Sequence, residues 1–298
     1  MNDRLAQTAI FEGQLFKNIS LADYTSWRVG GNVKQLYLPK NLDDLILFLQ
    51  SLSSDEKIIF LGLGSNVLVR DTGLDATVIV TQGCLTDLKL IGENSVYAQA
   101  GISCAQAARF SARQSLTGIE FLAGVPGTIG GALAMNAGCF GGETWNHVQS
   151  VITINRQGQL KERKPNDFII AYREVQQVED EWFIAGIFSL SAGDKKQSLM
   201  MIRELLDKRS CSQPTNEPSC GSVFRNPPGN YSAQLIEGCG LKGFAIGGAE
   251  VSRKHANFIV NKGNATAADI EQLIAYVQKQ VKDKHNISLI QEVHILGQ

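Results

Sequence analysis

Hydrophobic positions recur with helical spacing in four stretches of the chain, which predicts helices over residues 41–52, 103–116, 195–210 and 266–284. Two of these stretches begin with the side chains of a capping box, Ser103 with Gln106 and Thr266 with Asp269. The last helix has a clear apolar face, expected to be buried, formed by Ile270, Leu273, Ile274, Val277 and Val281.

Short apolar runs bounded by glycine, proline or polar turns predict strands between these helices. They cover residues 27–39, 57–71 (strand, glycine turn, strand), 76–83, 95–101, 148–155, 160–163 and 182–190. The first 20 or so residues read as a short helical lead-in. The chain closes with a predicted strand over residues 287–296, in which alternation places Glu292 on one face with Ile290, His294 and Leu296. Strands and helices mix without regular βαβ units, so we expect an α+β fold.

Composition narrows the class of protein. The 298 residues include 28 basic and 29 acidic side chains, so no net field recruits nucleic acid or an anionic membrane. No apolar run approaches the length of a membrane span, and the first residues lack the pattern of a signal peptide. The six cysteines form no C-x-x-C pair and no metal-type cluster. We therefore expect a soluble, cytoplasmic protein without a metal site or an obligate protein partner.

Two glycine-rich loops of almost no charge are candidate anion cradles. Residues 62–69 (GLGSNVLV) follow a strand but lack the last glycine of the dinucleotide fingerprint, and residues 124–132 (GVPGTIGGA) lack the lysine of a P-loop. Glycine lets backbone N–H groups approach a phosphate, and Ser65, Asn66 and Thr128 add polar side chains. The alternative is a pair of tight turns that pack one lobe on the other.

Three polar residues stand out for chemistry. Ser222, in SCGSVFRNP (residues 219–227), lacks the nucleophile-elbow pattern, and the sequence ties no histidine to it. It is either a turn serine that caps the backbone or a proton donor. Glu292 lies in an apolar strand, where a carboxylate is costly unless it is paired or protonated. Arg173, after Tyr172, would by itself most often be a surface arginine in an ion pair.

Together these stretches resemble the bacterial UDP-N-acetylenolpyruvoylglucosamine reductases, in the compact class that lacks an extra substrate loop. The resemblance runs from about residue 20 to the C-terminus and is carried by motifs in the family's order. They are YTSWRVGGNVKQLYLP, LGLGSNVLVRD, GIEFLAGVPGTIGGALAMNAG, YRE, SCGSVFRNPP, AQLIEGCGLKGFAIGGAEVSRKHANFIVN and QEVHILG. Cys220 stands where alanine is usual, Arg225 where lysine is usual and Cys139 where alanine is common, and none of these departures removes a catalytic group.

The resemblance implies a two-lobed FAD-binding domain of the vanillyl-alcohol-oxidase (PCMH) type, followed by a smaller α+β substrate-binding domain. The expected boundaries are a lead-in over residues 1–19, an FAD domain over 20–194 that divides near 82, and a substrate domain over 195–298. The implied enzyme is a UDP-N-acetylmuramate dehydrogenase of peptidoglycan precursor synthesis. It would use NADPH and non-covalent FAD to reduce the enolpyruvyl ether of the UDP-sugar.

The resemblance also implies site roles. Arg173 and Glu292 would stabilise charge that develops when hydride reaches the enolpyruvyl methylene carbon, and Ser222 would donate the proton. FAD would contact Gly62, Leu63, Gly64, Ser65, Asn66, Val67, Gly124, Val125, Pro126, Gly127, Thr128, Ile129, Gly130, Gly131, Ala132, Asn136 and Gly138. Substrate would contact Tyr172, Asn226, Arg209, Arg225, His255 and Asn257.

Two other functions stay open at this point. A flavin oxidase of the same fold would act on an alcohol or sugar and return electrons to oxygen. A nucleotide-sugar sensor would keep the pocket without the chemistry, although the joint presence of Arg173, Ser222 and Glu292 argues against it.

Overall fold

The first lobe is a mixed four-stranded sheet with one helix. The computed structural model describes residues 11–298, and the lobe's elements are β1 (Gln14–Ser20), β2 (Asn32–Leu38), α1 (Leu42–Ser51), β3 (Ile58–Leu61), β4 (Val67–Val69) and β5 (Leu74–Val80). The sheet order is β1-β2-β5-β3, antiparallel at β1 and parallel elsewhere. The helical lead-in is wrong for residues 14–20, because these residues pair with β2 along their length. Residues 1–10 of that prediction lie outside the described residues.

The second lobe is built on an antiparallel sheet of five strands in the order β12-β11-β15-β7-β6. In chain order its elements are β6 (Leu88–Ile91), β7 (Ser95–Gln99), α2 (Cys104–Arg113), β8 (Leu116–Thr117), α3 (Ile129–Met135), β9 (Gly138–Cys139), β10 (Gly142–Glu143), β11 (Val148–Asn155), β12 (Leu160–Arg163), β13 (Ile169–Ala171), β14 (Glu174–Gln176), β15 (Glu181–Ser189) and β16 (Ser191–Ala192). Short 3-10 turns occupy Ala22–Tyr24, Glu120–Gly124, Thr144–His147 and Pro165–Asp167.

The C-terminal part is smaller and contains two long helices, the first of which (Lys195–Ser212) packs against the second-lobe core through Leu199, Ile202 and Leu206. Its elements are α4 (Lys195–Ser212), α5 (Ser232–Gly238), β17 (Ala245–Ile246), β18 (Ala249–Val251), β19 (Ile259–Asn261), α6 (Ala267–His285) and β20 (His294–Leu296). The capping boxes predicted for α2 and α6 are both present, and the predicted apolar face of α6 is buried. This architecture confirms the predicted α+β class, while the predicted domain boundaries stay predictions. No helix among residues 11–298 is long and apolar enough to cross a membrane.

The predicted closing strand is shorter than its pattern suggests. Only His294–Leu296 forms a strand, and Ile290 is 63% exposed rather than sharing a buried face with Glu292. The residues before it lie instead beside the segment that contains Ser222, to which they are joined by one isolated β-bridge between Phe224 and Gln291. Side chains alternate between two faces only within a strand, and Glu292 lies before this one begins. The backbone around Glu292 is therefore positioned by its contacts with other segments.

Several contacts join the C-terminal part to the first lobe, among them a strand pair and the hydrogen bonds of a buried tryptophan. β20 pairs in parallel with β4, so the chain end lies beside the strand that follows the first glycine loop. The fully buried Trp27 donates from Nε1 to the Ile259 carbonyl at 2.7 Å, and Asn261 Nδ2 returns a bond to the Trp27 carbonyl at 2.9 Å. The site is assembled along this junction.

Candidate active site

A cleft of about 350 Å³ runs between the two glycine loops and the C-terminal part. All three predicted catalytic residues line it, as do most of the other predicted contacts. These are Gly62, Leu63, Gly64, Ser65, Asn66, Val67, Gly124, Val125, Pro126, Gly127, Thr128, Gly131, Ala132, Gly138, Tyr172, Asn226 and Asn257. The structure therefore brings together residues that are separated by more than 200 positions in the chain.

The two glycine loops approach each other closely enough to exclude side chains between them. A Cβ on Gly62 would lie 2.3 Å from Thr128 Oγ1, and a Cβ on Gly64 would lie 2.1 Å from the Tyr24 carbonyl oxygen. Gly64 also has a φ of +65°, which glycine adopts without strain. The glycines thus keep a narrow gap whose walls are the Thr128 side chain at Gly62 and the Tyr24 backbone at Gly64.

These walls offer hydrogen-bond donors without charge. Among residues 11–298, the backbone N–H groups of Ser65, Asn66 and Thr128 donate to no protein acceptor. Thr128 Oγ1 is buried and also has no partner, which is unusual for a polar atom inside a protein. Neither loop contains a charged residue. An FAD diphosphate fits this donor set, because backbone N–H groups can hold an anion without lysine or arginine.

Three residues predicted to contact the cofactor lie outside the cleft lining. Ile129 is fully buried in the second-lobe core, and the Gly130 N–H donates to the Ala100 carbonyl at 3.0 Å. Asn136 ends α3 in the left-handed conformation, with φ 42°, and its amide donates to Glu143 Oε2 and to the Ala171 carbonyl. These contacts give Asn136 a supporting position beneath the β13–β14 hairpin.

Arg173 occupies the two-residue turn of that hairpin, with a φ of 58°. Its guanidinium donates to the Gly138 carbonyl and, at 3.3 Å, to the Asn136 carbonyl. Its Nε lies 3.2 Å from Glu292 Oε1, and the two side chains are 15% and 16% exposed. Two carbonyls and one carboxylate therefore hold the cation at the wall of the cleft, where a charged partner is desolvated and electrostatic interactions strengthen.

Glu292 is held by both neighbouring segments. Its N–H donates to the Val223 carbonyl at 2.8 Å, and its own carbonyl accepts from Asn66 Nδ2 at 3.1 Å. Burial raises the pKa of its carboxyl, against the opposing attraction of Arg173 and then Arg225. The carboxyl is therefore easier to protonate than an exposed glutamic acid.

Ser222 directly precedes Val223, whose carbonyl accepts the hydrogen bond from the Glu292 N–H. The preceding Gly221 has a φ of 76°, which turns the chain toward the cleft. The Ser222 hydroxyl makes no hydrogen bond to another residue in the described range, so no histidine is placed to activate it as a nucleophile. Ser222 is half-buried and lines the cleft, where its hydroxyl has no bond to another residue that an occupant would have to displace.

Of the predicted substrate contacts, Tyr172 and Asn226 face the cleft, but the amide of Asn257 is already occupied. Asn257 Oδ1 accepts from the Phe224 N–H at 3.0 Å, and its Nδ2 donates to the Phe224 carbonyl at 2.8 Å. The side chain is 4% exposed. We therefore interpret Asn257 as the residue that positions the Ser222 segment.

Three further predicted contacts do not line the cleft. Arg209 lines an adjoining cavity of about 320 Å³, where Nε donates to Gln213 Oε1 at 3.2 Å. Arg225 forms an ion pair with Glu174 at 2.9 Å. His255 accepts from the Asn257 N–H and packs edge-on against Phe258. Their predicted roles as substrate ligands stay predictions.

His294 lines the cleft and is absent from the predicted site residues. The ring Nε2 of His294 lies 3.1 Å from Met135 Sδ, and its backbone N–H donates to the Asn66 carbonyl at 3.0 Å. The signal for it was available in the sequence, because alternation places it on the same face as Glu292. Gln213 and Met135 also line the cleft, but nothing in their sequence context marks them.

Comparisons with known proteins agree with this geometry. Residues 33–163 match the model of an FAD binding domain, and residues 213–296 match that of the UDP-N-acetylenolpyruvoylglucosamine reductase C-terminal domain. A protein of Legionella pneumophila (strain Corby) named UDP-N-acetylenolpyruvoylglucosamine reductase is 58% identical over 287 residues, which cover 96% of this chain and 93% of the relative. The chain belongs to the UDP-N-acetylenolpyruvoylglucosamine reductase family.

Other members and solved structures extend the comparison. A family member from Methylococcus capsulatus is 54% identical over 96% of this chain and 94% of its own length. The crystal structure of the family member from Thermus caldophilus superposes with a TM-score of 0.83 at 29% identity, over 97% of this chain and all of that one. A 6-hydroxy-D-nicotine oxidase from Arthrobacter nicotinovorans shares the fold, with a TM-score of 0.57 at 10% identity over 98% of this chain and 90% of its own.

Replacing Thr128 with valine removes a hydroxyl without leaving a cavity. Because Oγ1 has no protein partner, we expect the unfolding free energy of the FAD-free protein to be unchanged or higher. If the hydroxyl bonds FAD, affinity for FAD falls about fivefold to tenfold. Titration of FAD into the apoprotein measures this, and Thr128→Ser is the control that keeps the hydroxyl. Lower apoprotein stability with unchanged FAD affinity would contradict the assignment.

The raised pKa of Glu292 predicts a pH dependence of stability. Since the folded state binds the proton more tightly than the unfolded state, the carboxyl contributes less stability as pH rises from below 4.5 through its folded pKa. We expect the unfolding free energy of the wild type, relative to Glu292→Gln, to fall over that interval and then stay constant. Urea unfolding from about pH 4 to pH 8 tests this. A relative stability that increases with pH would mean that Arg173 outweighs burial.

Proposed function

We propose that this protein catalyses the NADPH-dependent, FAD-mediated reduction of UDP-N-acetyl-3-O-(1-carboxyvinyl)glucosamine to UDP-N-acetylmuramate, in peptidoglycan precursor synthesis. The observation that carries the proposal is the meeting of Ser222 with the Arg173–Glu292 pair in a cleft bounded by the two glycine loops. Family membership supplies the substrate class, since the relatives are named for the enolpyruvyl UDP-sugar.

The two glycine loops would hold FAD without a covalent bond. The narrow gap at Gly62, the free N–H groups of Ser65 and Asn66 and the unpartnered Thr128 hydroxyl support this placement. When bound, FAD takes electrons from NADPH and supplies the hydride for the enolpyruvyl double bond. The first loop contains no histidine or cysteine through which a covalent link could form.

Arg173 and Glu292 would act on the carboxylate end of the enolpyruvyl group. The Arg173 guanidinium already faces the cleft, held by two carbonyls that leave its charge uncompensated except by Glu292. A fixed cation beside the substrate carboxylate stabilises negative charge that develops on the adjoining carbon. The raised pKa of Glu292 lets its carboxyl be neutral when a second carboxylate enters, which avoids repulsion between them.

Ser222 would deliver the proton that completes the reaction. Its hydroxyl is unengaged and faces the cleft, and the Val223–Glu292 hydrogen bond fixes its segment beside the carboxyl. A serine hydroxyl is a weak acid, so it serves here only because the carbon centre that accepts its proton is strongly basic.

We further propose that the protein works in the cytoplasm, with the UDP-sugar and NADPH as its small-molecule partners. All six cysteines are free thiols, which suits a reducing compartment. The family implies domain boundaries of 20–194 for FAD and 195–298 for substrate, and these boundaries stay part of the proposal, because α4 packs against the second-lobe core through Ile202.

The visible spectrum of the purified protein tests the proposed function. Under anaerobic conditions we expect a flavin spectrum that bleaches with NADPH and returns when the enolpyruvyl UDP-sugar is added. Recovery only after oxygen is admitted would identify an oxidase of the same fold instead. A protein that stays colourless after FAD is supplied would refute the cofactor and leave the nucleotide-sugar sensor.

Ser222→Ala isolates the proton transfer. We expect reduction by NADPH to continue, while the rate at which the enolpyruvyl substrate reoxidises the protein falls about 10²–10⁴-fold. Stopped-flow absorbance separates these half-reactions. Ser210→Ala is a suitable control, since the Ser210 hydroxyl is exposed on α4 and bonds only the Asp207 carbonyl. Reoxidation at the wild-type rate would exclude Ser222 as the proton donor.

A further inference from the structure

The hairpin that carries Arg173 has few backbone contacts of its own. β13 and β14 pair with each other over three residue pairs and belong to neither large sheet. Ile170 and Val175 pack against the second-lobe core, whereas Ile169 is 67% exposed. The hairpin therefore rests on the FAD-binding region and must reach across the cleft to meet the C-terminal part.

Two ion pairs connect the hairpin to the C-terminal part. The hairpin contributes the cation to one pair and the anion to the other. Arg173 on the hairpin meets Glu292 on the C-terminal segment at 3.2 Å. The next hairpin residue, Glu174, meets Arg225 on the same side of the cleft as Glu292 at 2.9 Å. Each side of the crossing thus contributes one cation and one anion.

Arg225 is firmly attached to the segment that holds Glu292. Its N–H donates to the Ile290 carbonyl at 2.9 Å, and its carbonyl accepts from the Ser232 hydroxyl at 2.6 Å. Its side chain is 24% exposed, and its Nε is buried without a hydrogen-bond partner. A buried donor without a partner is uncommon. The Arg225 guanidinium bonds Glu174 through Nη1 while its Nε has no hydrogen-bond acceptor.

The charge of Arg225 also acts on Glu292. Its attraction is the second favourable influence on the Glu292 carboxylate, after that of Arg173. Glu174 is the anion that the Arg225 guanidinium contacts, so without Glu174 the attraction of Arg225 for Glu292 would be left without that counter-charge and would compete with Arg173. Glu174 therefore both draws the hairpin toward the C-terminal segment and engages the competing cation.

We propose that Glu174 and Arg225 are a positioning pair that sets Arg173 against Glu292. Neither residue lines the cleft, so both act through Arg173 and Glu292 rather than on the substrate. This assigns Arg225 to positioning rather than to substrate contact. The effect on turnover rests on the proposed function, whereas the effect on the hairpin does not.

Hydrogen exchange of the hairpin tests the positioning directly, on the holoenzyme without substrate. Because the Glu174 side chain is 63% exposed, we expect amides of residues 169–176 to exchange about twofold to fivefold faster in Glu174→Gln and Arg225→Gln, and the double variant no faster than either. Asp283→Asn, which breaks an exposed ion pair with Lys279 on α6, should leave the hairpin unchanged. Unchanged exchange in the single variants, or effects that add in the double variant, would overturn the proposal.

Kinetics provide the second readout. We expect each single variant to lower kcat/KM for the enolpyruvyl substrate about fivefold, the double variant to be no worse than Glu174→Gln, and Arg225→Lys to recover most of the loss. Additive losses, or no loss in either single variant, would contradict positioning. If the wild type itself fails to reduce this substrate, the proposed function fails, and the exchange experiment still decides the role of the pair.

Discussion

The site depends on the joint between the first glycine loop and the chain end. Asn66 donates from its amide to the Glu292 carbonyl and accepts at its own carbonyl from the His294 N–H, and β4 and β20 continue the contact as a parallel pair. A loop suited to a cofactor phosphate is thereby bonded to the segment that carries the carboxyl of the site. A shift of either segment moves both, so these hydrogen bonds set the distance between the first glycine loop and Glu292.

The segment of Ser222 is also held by hydrogen bonds to its neighbours. The Asn257 side-chain amide bonds both the N–H and the carbonyl of Phe224, and the Val223 carbonyl accepts from the Glu292 N–H. These bonds hold the segment while leaving the hydroxyl itself without a partner. A proton donor needs this arrangement, because a hydroxyl already committed to a protein acceptor would have to break that bond before it reached the substrate.

Burial determines which of the nearby groups are reactive. Cys220 and Cys139 both line the cleft, and burial raises the pKa of each thiol, to about 11 for Cys139. Both thiols are therefore protonated at neutral pH and are poor nucleophiles. The same desolvation raises the pKa of the Glu292 carboxyl, against the attraction of Arg173. The structure offers no account of why cysteine rather than alanine occupies position 220.

Local physics allowed the sequence to determine much of the fold. Capping boxes and apolar stripes located α2 and α6, because helix ends and faces depend on residues within a few positions of one another. The long family motifs brought the glycine loops, Arg173, Ser222 and Glu292 into one predicted site. The prediction of a helical lead-in was wrong at β1, because residues 14–20 form a strand through their pairing with β2, which lies beside them only in the folded chain.

Only the tertiary structure decided which predicted residues reach the cleft. Ile129 is buried in the core and the Gly130 N–H bonds Ala100, although the other residues of their glycine loop line the cleft. Asn257 lines the cleft, but its amide bonds Phe224. The pairing of Glu174 with Arg225 joins residues 51 positions apart, and no periodicity connects them. Sequence determined the elements and the chemistry available, because these depend on near neighbours. Orientation and partnership depended on how separate segments pack, which only the folded chain specifies.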